Sequence, residues 1–177
     1  MDKFELLKDL GAGDFSHLNG SLMSHLKGTE AILNAWGATE TLKISGLFHA
    51  AYGTSGFDQN MVSLDRRSDI ANLIGAEAEE LVYLYCSCDR SYVYPQFGSS
   101  HPVEFKDRFN NSTFSLSDAE LESFCELTAA NELELATSSD DFKLKYGKDL
   151  LDLFQRMHSY LSPQAQKAYT STLESIS

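Results

Sequence analysis

The chain has 177 residues and a formal charge of −12, with 14 Lys and Arg against 26 Asp and Glu. That length suits one domain with a full core, and 42% hydrophobic with 11% aromatic residues is ordinary for a globular protein. The acidic balance argues against nucleic acid and against an anionic membrane surface, both of which need clustered Lys and Arg, and no apolar run approaches the ~20 residues of a membrane span.

Three cysteines, Cys86, Cys88 and Cys125, are an odd number without metal-type spacing beyond one C-x-C, and read as reduced thiols. The start, MDKFELLKDLGAG, lacks the apolar core of a signal peptide, so the expected location is cytoplasmic. Phe4, Leu6, Leu7 and Leu10 space a short amphipathic helix over 2–10, ended by Gly11 and Gly13. A polar loop then carries His17, which the residues alone read as a loop or capping histidine. In the next helix Leu22, Leu26, Ile32, Leu33 and Trp36 recur at three- and four-residue steps and form one apolar face. Gly37 sits at the C-cap, and Thr39 with Glu40 opens a second helix that carries Leu42, Ile44, Leu47 and Phe48 and ends at His49. A short turn makes these helices antiparallel neighbours, so His25 and His49, 24 residues apart, fall on facing helices. Two imidazoles so placed fit a shared metal ion, or two helix histidines satisfied by backbone and carboxylate partners.

After His49, small residues with Gly53 and Gly56 break the helix. Ser68 is the expected cap of the following helix. Just before it, Arg66 and Arg67 are the densest positive charge, either solvated or available to clamp a phosphate or carboxylate. Gly75 precedes a strong helix from Ala76 to Arg90, ending in the pair Asp89–Arg90. Residues 91–115, with Pro95, Pro102 and several aromatics, are expected to form a functional loop, with Tyr92, Tyr94, Phe97 and Phe105 docking it over the mouth of a site. Ser117 caps a helix running to Leu135, and Asn131 and Glu132 extend its inward stripe. Inward polar groups cost free energy unless partnered, so they mark an internal polar site or a hydrogen-bond bridge between helices. A long amphipathic helix over Asp140 to Leu161 and one opened by Ser162–Pro163 make a C-terminal pair at 140–177. No strand-type alternation stands out. The expected fold is all-α, a single domain over 1–177 built as a bundle of about seven helices.

The run HLNGSLMSHLKGTEAILNAWGATETLKISGLFHAAYGTSGF resembles the metal-dependent HD-domain hydrolases, most closely the guanosine-tetraphosphate hydrolase domain of the RelA/SpoT type. His25 and His49 match that family's two histidines. DIANLIGAEAEELVYLY looks like one of its helix pairs, and LTAANELELA like the helix of its last metal ligand, with Asn131 at that position. The resemblance spans roughly residues 14 to 136 and implies an HD-like bundle. Its departures are Ala50 after the second histidine, Gly53-Thr54 for a catalytic acidic pair, and Asn131 for an aspartate, unless Asp89, Glu132 or Glu134 substitutes. The signatures HLxGT and LFHAxYGT also look like a family with no assigned activity.

Three functional classes follow from the resemblance. The first is a metal-dependent hydrolase of a small anionic molecule: His25, His49, His17 and Asn131 hold a divalent ion, Tyr52, Asp89 and Glu132 act in catalysis, and Thr54, Arg66, Arg67 and Arg90 bind substrate. With imidazole ligands in place of carboxylates, Fe or Zn suits the site better than Mn or Mg. The second is a non-haem iron oxygenase on the same scaffold, and the third a degenerate domain that binds a nucleotide-like ligand or a protein partner. Fold alone does not choose among them.

Overall fold

The computed structural model describes residues 20–56 and 60–174, with Asp2, Lys3 and Glu5 before them; His17 and most of the helix expected at 2–10 lie outside the described residues. The first apolar face becomes α1 (Gly20–Ala35), with Leu26 and Leu33 fully buried. Gly37 ends it in the left-handed conformation (φ +74°), which glycine adopts without the steric cost of a side chain. Thr39 Oγ1 then accepts from Leu42 N at 3.2 Å and starts α2 (Glu40–Phe48), which ends at His49. Where the two helices cross, Gly46 has no side chain, and a Cβ there would come 2.6 Å from Leu33 Cδ1.

A 3-10 turn (Leu64–Arg66) runs into α3 (Arg67–Ile74). Ser68 is not its cap, because the helix begins one residue earlier, with Arg66 in the capping place. Next come α4 (Ala76–Ser87) and the short α5 (Arg90–Val93), capped by the Asp89 side chain. Residues 91–115 are more ordered than a loop. They contain a 3-10 turn (Tyr94–Gln96) and two strands, β1 (Glu104–Lys106) and β2 (Thr113–Ser115), paired antiparallel with Phe105 opposite Phe114. This segment does not form a lid. Phe97 and Phe105 are buried in the core, Tyr92 is exposed, and only Tyr94 of the four aromatics named above reaches the candidate cavity.

The longest helix, α6 (Asp118–Ser138), opens with a capping box in which Ser117 and Glu120 each satisfy the other's backbone N–H. It is followed by α7 (Asp140–Arg156), a 3-10 turn (His158–Tyr160) and α8 (Pro163–Leu173), the last capped by Ser162 with Pro163 in its first turn. The helix expected to reach Leu161 therefore stops at Arg156. Eight α-helices and one two-stranded sheet among the described residues confirm an all-α bundle, and no helix among them is long and apolar enough to cross a membrane. The buried side chains form two clusters. The larger joins α6, α7, α8 and the 91–115 segment to Leu33, Leu42 and Tyr85; the smaller gathers Leu26, Phe48, Ile70 and Val82.

Candidate functional site

Polar side chains from five helices meet at the seam between these clusters, in a cavity of about 1270 Å³ lined by His25, His49, Thr54, Arg90, Asn131, Glu132 and Glu134 among others. His25 comes from the middle of α1 and faces α6. Its Nδ1 lies 2.5 Å from Glu134 Oε2 and its Nε2 2.7 Å from Asn131 Oδ1. Glu134 is steadied on its other oxygen by the Ser138 hydroxyl at 2.9 Å. It fits there because position 28 is glycine: a Cβ on Gly28 would come 2.8 Å from Glu134 Cγ.

His49 caps α2 and is 3% exposed. Burial, with the charge of His25 behind it, lowers its pKa to about 3, so the ring is neutral. Nδ1 lies 2.6 Å from the Gly46 carbonyl, which can only accept; the proton therefore sits on Nδ1 and the lone pair on Nε2. The ring stands edge-on to His25, centroids 5.1 Å apart, and to Tyr85 at 5.5 Å.

Asn131 joins the two sides of the site. Its Nδ2 donates to Tyr85 Oη at 2.7 Å, and Glu132 Oε1 lies 3.4 Å away. Burial raises the pKa of Glu132, with Arg90 pulling the other way. The Arg90 guanidinium, from the start of α5, donates to Tyr85 Oη at 3.3 Å and has Glu132 Oε1 3.7 Å from Nη1. Beside it the hydroxyl of Tyr94 is buried without a hydrogen-bond partner among the described residues.

Of the residues marked from sequence, the cavity brings together His25, His49, Asn131, Glu132, Thr54 and Arg90. His17 lies outside the described residues. Four others do not line the cavity, and each is engaged elsewhere. Tyr52 donates to Glu79 Oε1 at 2.7 Å, and Arg67 clasps both oxygens of the same carboxylate at 2.7 and 2.8 Å while lying over the Tyr83 ring. Arg66 pairs with Asp69, and Asp89 caps α5 and faces Lys106. These are corrections: Arg66 and Asp89 are engaged by groups close in sequence, and Tyr52 and Arg67 share the Glu79 carboxylate on α4. Sequence reasoning missed Gly28, Tyr85 and the part played by Glu134. A signal for Glu134 was present, since it follows Asn131 by three residues on one helix face.

Among the described residues no group of three or more His, Cys, Asp or Glu side chains stands where it could hold an ion. Each imidazole has Nδ1 fixed by an oxygen, the carboxylate of Glu134 or the carbonyl of Gly46; this leaves Nε2 of His49 on offer, while Nε2 of His25 already faces Asn131 Oδ1 at 2.7 Å. Asn131 Oδ1 and the Glu132 carboxylate are the remaining oxygen donors nearby.

Residues 6–90 match a family model described as a domain of unknown function (DUF6817). No curated protein and no solved structure matches the chain. The matched stretch includes His25, His49 and Arg90 and stops short of the α6 residues that complete the cavity.

Proposed function

We propose that this cavity is the active site of a divalent-metal-dependent hydrolase of a small anionic molecule, on an HD-like scaffold. The observation that carries the reading is the pair of imidazoles, ring centroids 5.1 Å apart, His49 buried and His25 partly so, each anchored through Nδ1. His25 and His49 would hold the ion through Nε2, with Asn131 Oδ1 as a further ligand. This imidazole-rich set favours Zn or Fe. When bound, the ion would polarise a water or a substrate oxygen. Glu132, its pKa raised by burial, is suited to take a proton. Glu134 holds the His25 ring in one orientation, and Arg90 offers its guanidinium to the substrate's anionic group.

A second reading is a ligand-binding pocket without catalysis. It is favoured by the hydrogen bonds already made by both ring nitrogens of His25 and by the absence of a third His, Cys, Asp or Glu ligand among the described residues. Elemental analysis of the purified protein separates the two. The hydrolase reading expects near-stoichiometric Zn or Fe, lost in His25→Ala and in His49→Ala. Protein free of transition metal that also fails to take up Zn²⁺ or Fe²⁺ would overturn it in favour of the binding pocket. Iron that cycles in air would instead direct the reading to the oxygenase alternative.

A further inference from the structure

The cavity extends beyond the histidines along one face of α7, where Phe142, Tyr146, Leu150 and Leu153 stand at helical spacing. The rings of Phe142 and Tyr146 are 4.9 Å apart at 51°. Leu22 and Leu135 continue this wall from α1 and α6. A wall of this kind offers nothing to a polar group and much to an apolar one.

Among the described lining residues, positive charge is limited to one available guanidinium. Arg90 is 20% exposed, and its one hydrogen bond among the described residues is the 3.3 Å contact from Nη2 to Tyr85 Oη. A guanidinium has five N–H donors, and Glu132 Oε1, 3.7 Å from Nη1, is beyond hydrogen-bond distance, so only one of the five is hydrogen-bonded among the described residues. Arg156, the other cation of the lining, is already engaged: Nη1 donates to the carbonyls of Tyr94 and Phe97 at 2.7 and 3.1 Å, and Nε to Asp152 at 3.0 Å. Glu132, Glu134 and Asp149 add negative charge to the lining. A ligand with several anionic groups would therefore find one cation and three carboxylates.

We infer that the cavity takes a molecule with a single anionic group, a carboxylate or one phosphate, on an uncharged apolar body of one or two rings. The anion sits at Arg90, and the body lies along Phe142, Tyr146, Leu150 and Leu153. The inference rests on reading this cavity as a substrate site but does not need the ion.

The test is calorimetric titration of the full chain, stripped of metal by a chelator, with 1-naphthoate, 1-naphthyl phosphate, 1-naphthalenemethanol and guanosine diphosphate. One of the two naphthyl anions should bind at least tenfold more tightly than either the alcohol or the diphosphate, and the better one identifies the head group. Arg90→Gln should erase the preference over the alcohol, while Arg90→Lys should keep most of it. The double variant Phe142→Ser, Tyr146→Ser, with side chains toward the cavity rim, should weaken the better anion about tenfold with unchanged far-ultraviolet circular dichroism; a tenfold change in Kd corresponds to about 1.4 kcal/mol. An alcohol or a diphosphate that binds within tenfold of the better anion overturns the inference, as does the absence of naphthyl-anion binding. Metal content is scored apart. Naphthyl-anion binding by a protein that takes up no metal defeats the hydrolase proposal alone, and stoichiometric metal without the naphthyl preference defeats this inference alone.

Discussion

His49 shows how one buried side chain can set the pH response of the fold. Burial first, and then the charge of His25, holds its pKa near 3, against 6.5 in an ordinary setting. An unfolded chain therefore binds a proton below pH 6.5 that the folded chain refuses until about pH 3, and stability falls as pH drops through that window. At about 1.4 kcal/mol per pH unit, the residue alone accounts for roughly 3 kcal/mol lost by pH 4. Glu126 and Glu132 act with the opposite sign: their carboxyls are raised by burial, and they lend stability at low pH that is lost as pH rises through their folded values. Urea denaturation at pH 7, 5 and 4 should show His49→Gln losing much less stability on acidification than the parent chain; equal losses would remove His49 as the cause. Tyr94 gives a second prediction at this scale. A buried hydroxyl without a partner costs about 1–3 kcal/mol, and that of Tyr94 has none among the described residues. Tyr94→Phe should leave the thermal midpoint unchanged or raise it, whereas a drop equivalent to more than about 1 kcal/mol would mean that the hydroxyl has a partner.

At the scale of elements, α1 and α6 build the site through a missing side chain. Gly28 costs α1 about 1 kcal/mol in helix propensity relative to alanine. What it provides is room for Glu134, whose Cγ would lie 2.8 Å from an added Cβ. In Gly28→Ala the propensity gain and the displacement of a glutamate side chain oppose each other, so stability should move by less than about 1 kcal/mol. The His25 ring, freed from Glu134, should report the change strongly: its Nδ1 resonance in ¹⁵N NMR should shift while that of His49, held by Gly46, stays in place. An unmoved His25 signal would show that Glu134 reaches it by another route. The same elements explain what was legible in the sequence. Helices α1, α2 and α6 were readable because their apolar steps and caps at Thr39 and Ser117 agree. The β1–β2 pair was not, since three-residue strands are too short to alternate visibly. Its turn is held instead by local bonds, with Phe109 N donating to Asp107 Oδ1 at 2.8 Å and Asn111 at φ +62°. His25, His49 and Asn131 were recognisable as site candidates because polar groups interrupt apolar stripes. The four misplaced residues, Tyr52, Arg66, Arg67 and Asp89, gave no such signal, because sequence does not reveal which carboxylate a cation or hydroxyl will meet first.

On the scale of the whole molecule, the cavity belongs to neither hydrophobic cluster alone. Helix α1 gives Leu26 to one cluster and Leu33 to the other, α2 divides Phe48 from Leu42, and α4 divides Val82 from Tyr85. Each of these helices is therefore buried on two sides, and the second side is supplied by α6, α7 and α8. The family match ends at Arg90, yet residues up to that point could not be satisfied by themselves. Removing residues 116–177 would expose Leu33, Leu42, Tyr85, Phe97 and Phe105, all buried in the intact chain. At about 1.5–3 kcal/mol for each large apolar side chain, that loss rivals or exceeds the ~5–15 kcal/mol by which a typical domain is stable. It would also remove Asn131 and Glu134, leaving His25 without the partners of either ring nitrogen. The fragment 1–115 should therefore show little helix by far-ultraviolet circular dichroism and no cooperative urea transition, while the full chain unfolds in one transition seen alike by circular dichroism and by the fluorescence of Trp36, which packs against the larger cluster. Cooperative unfolding of the fragment would mean that the smaller cluster folds unaided, and the cavity would then lie between two separable units instead of inside one.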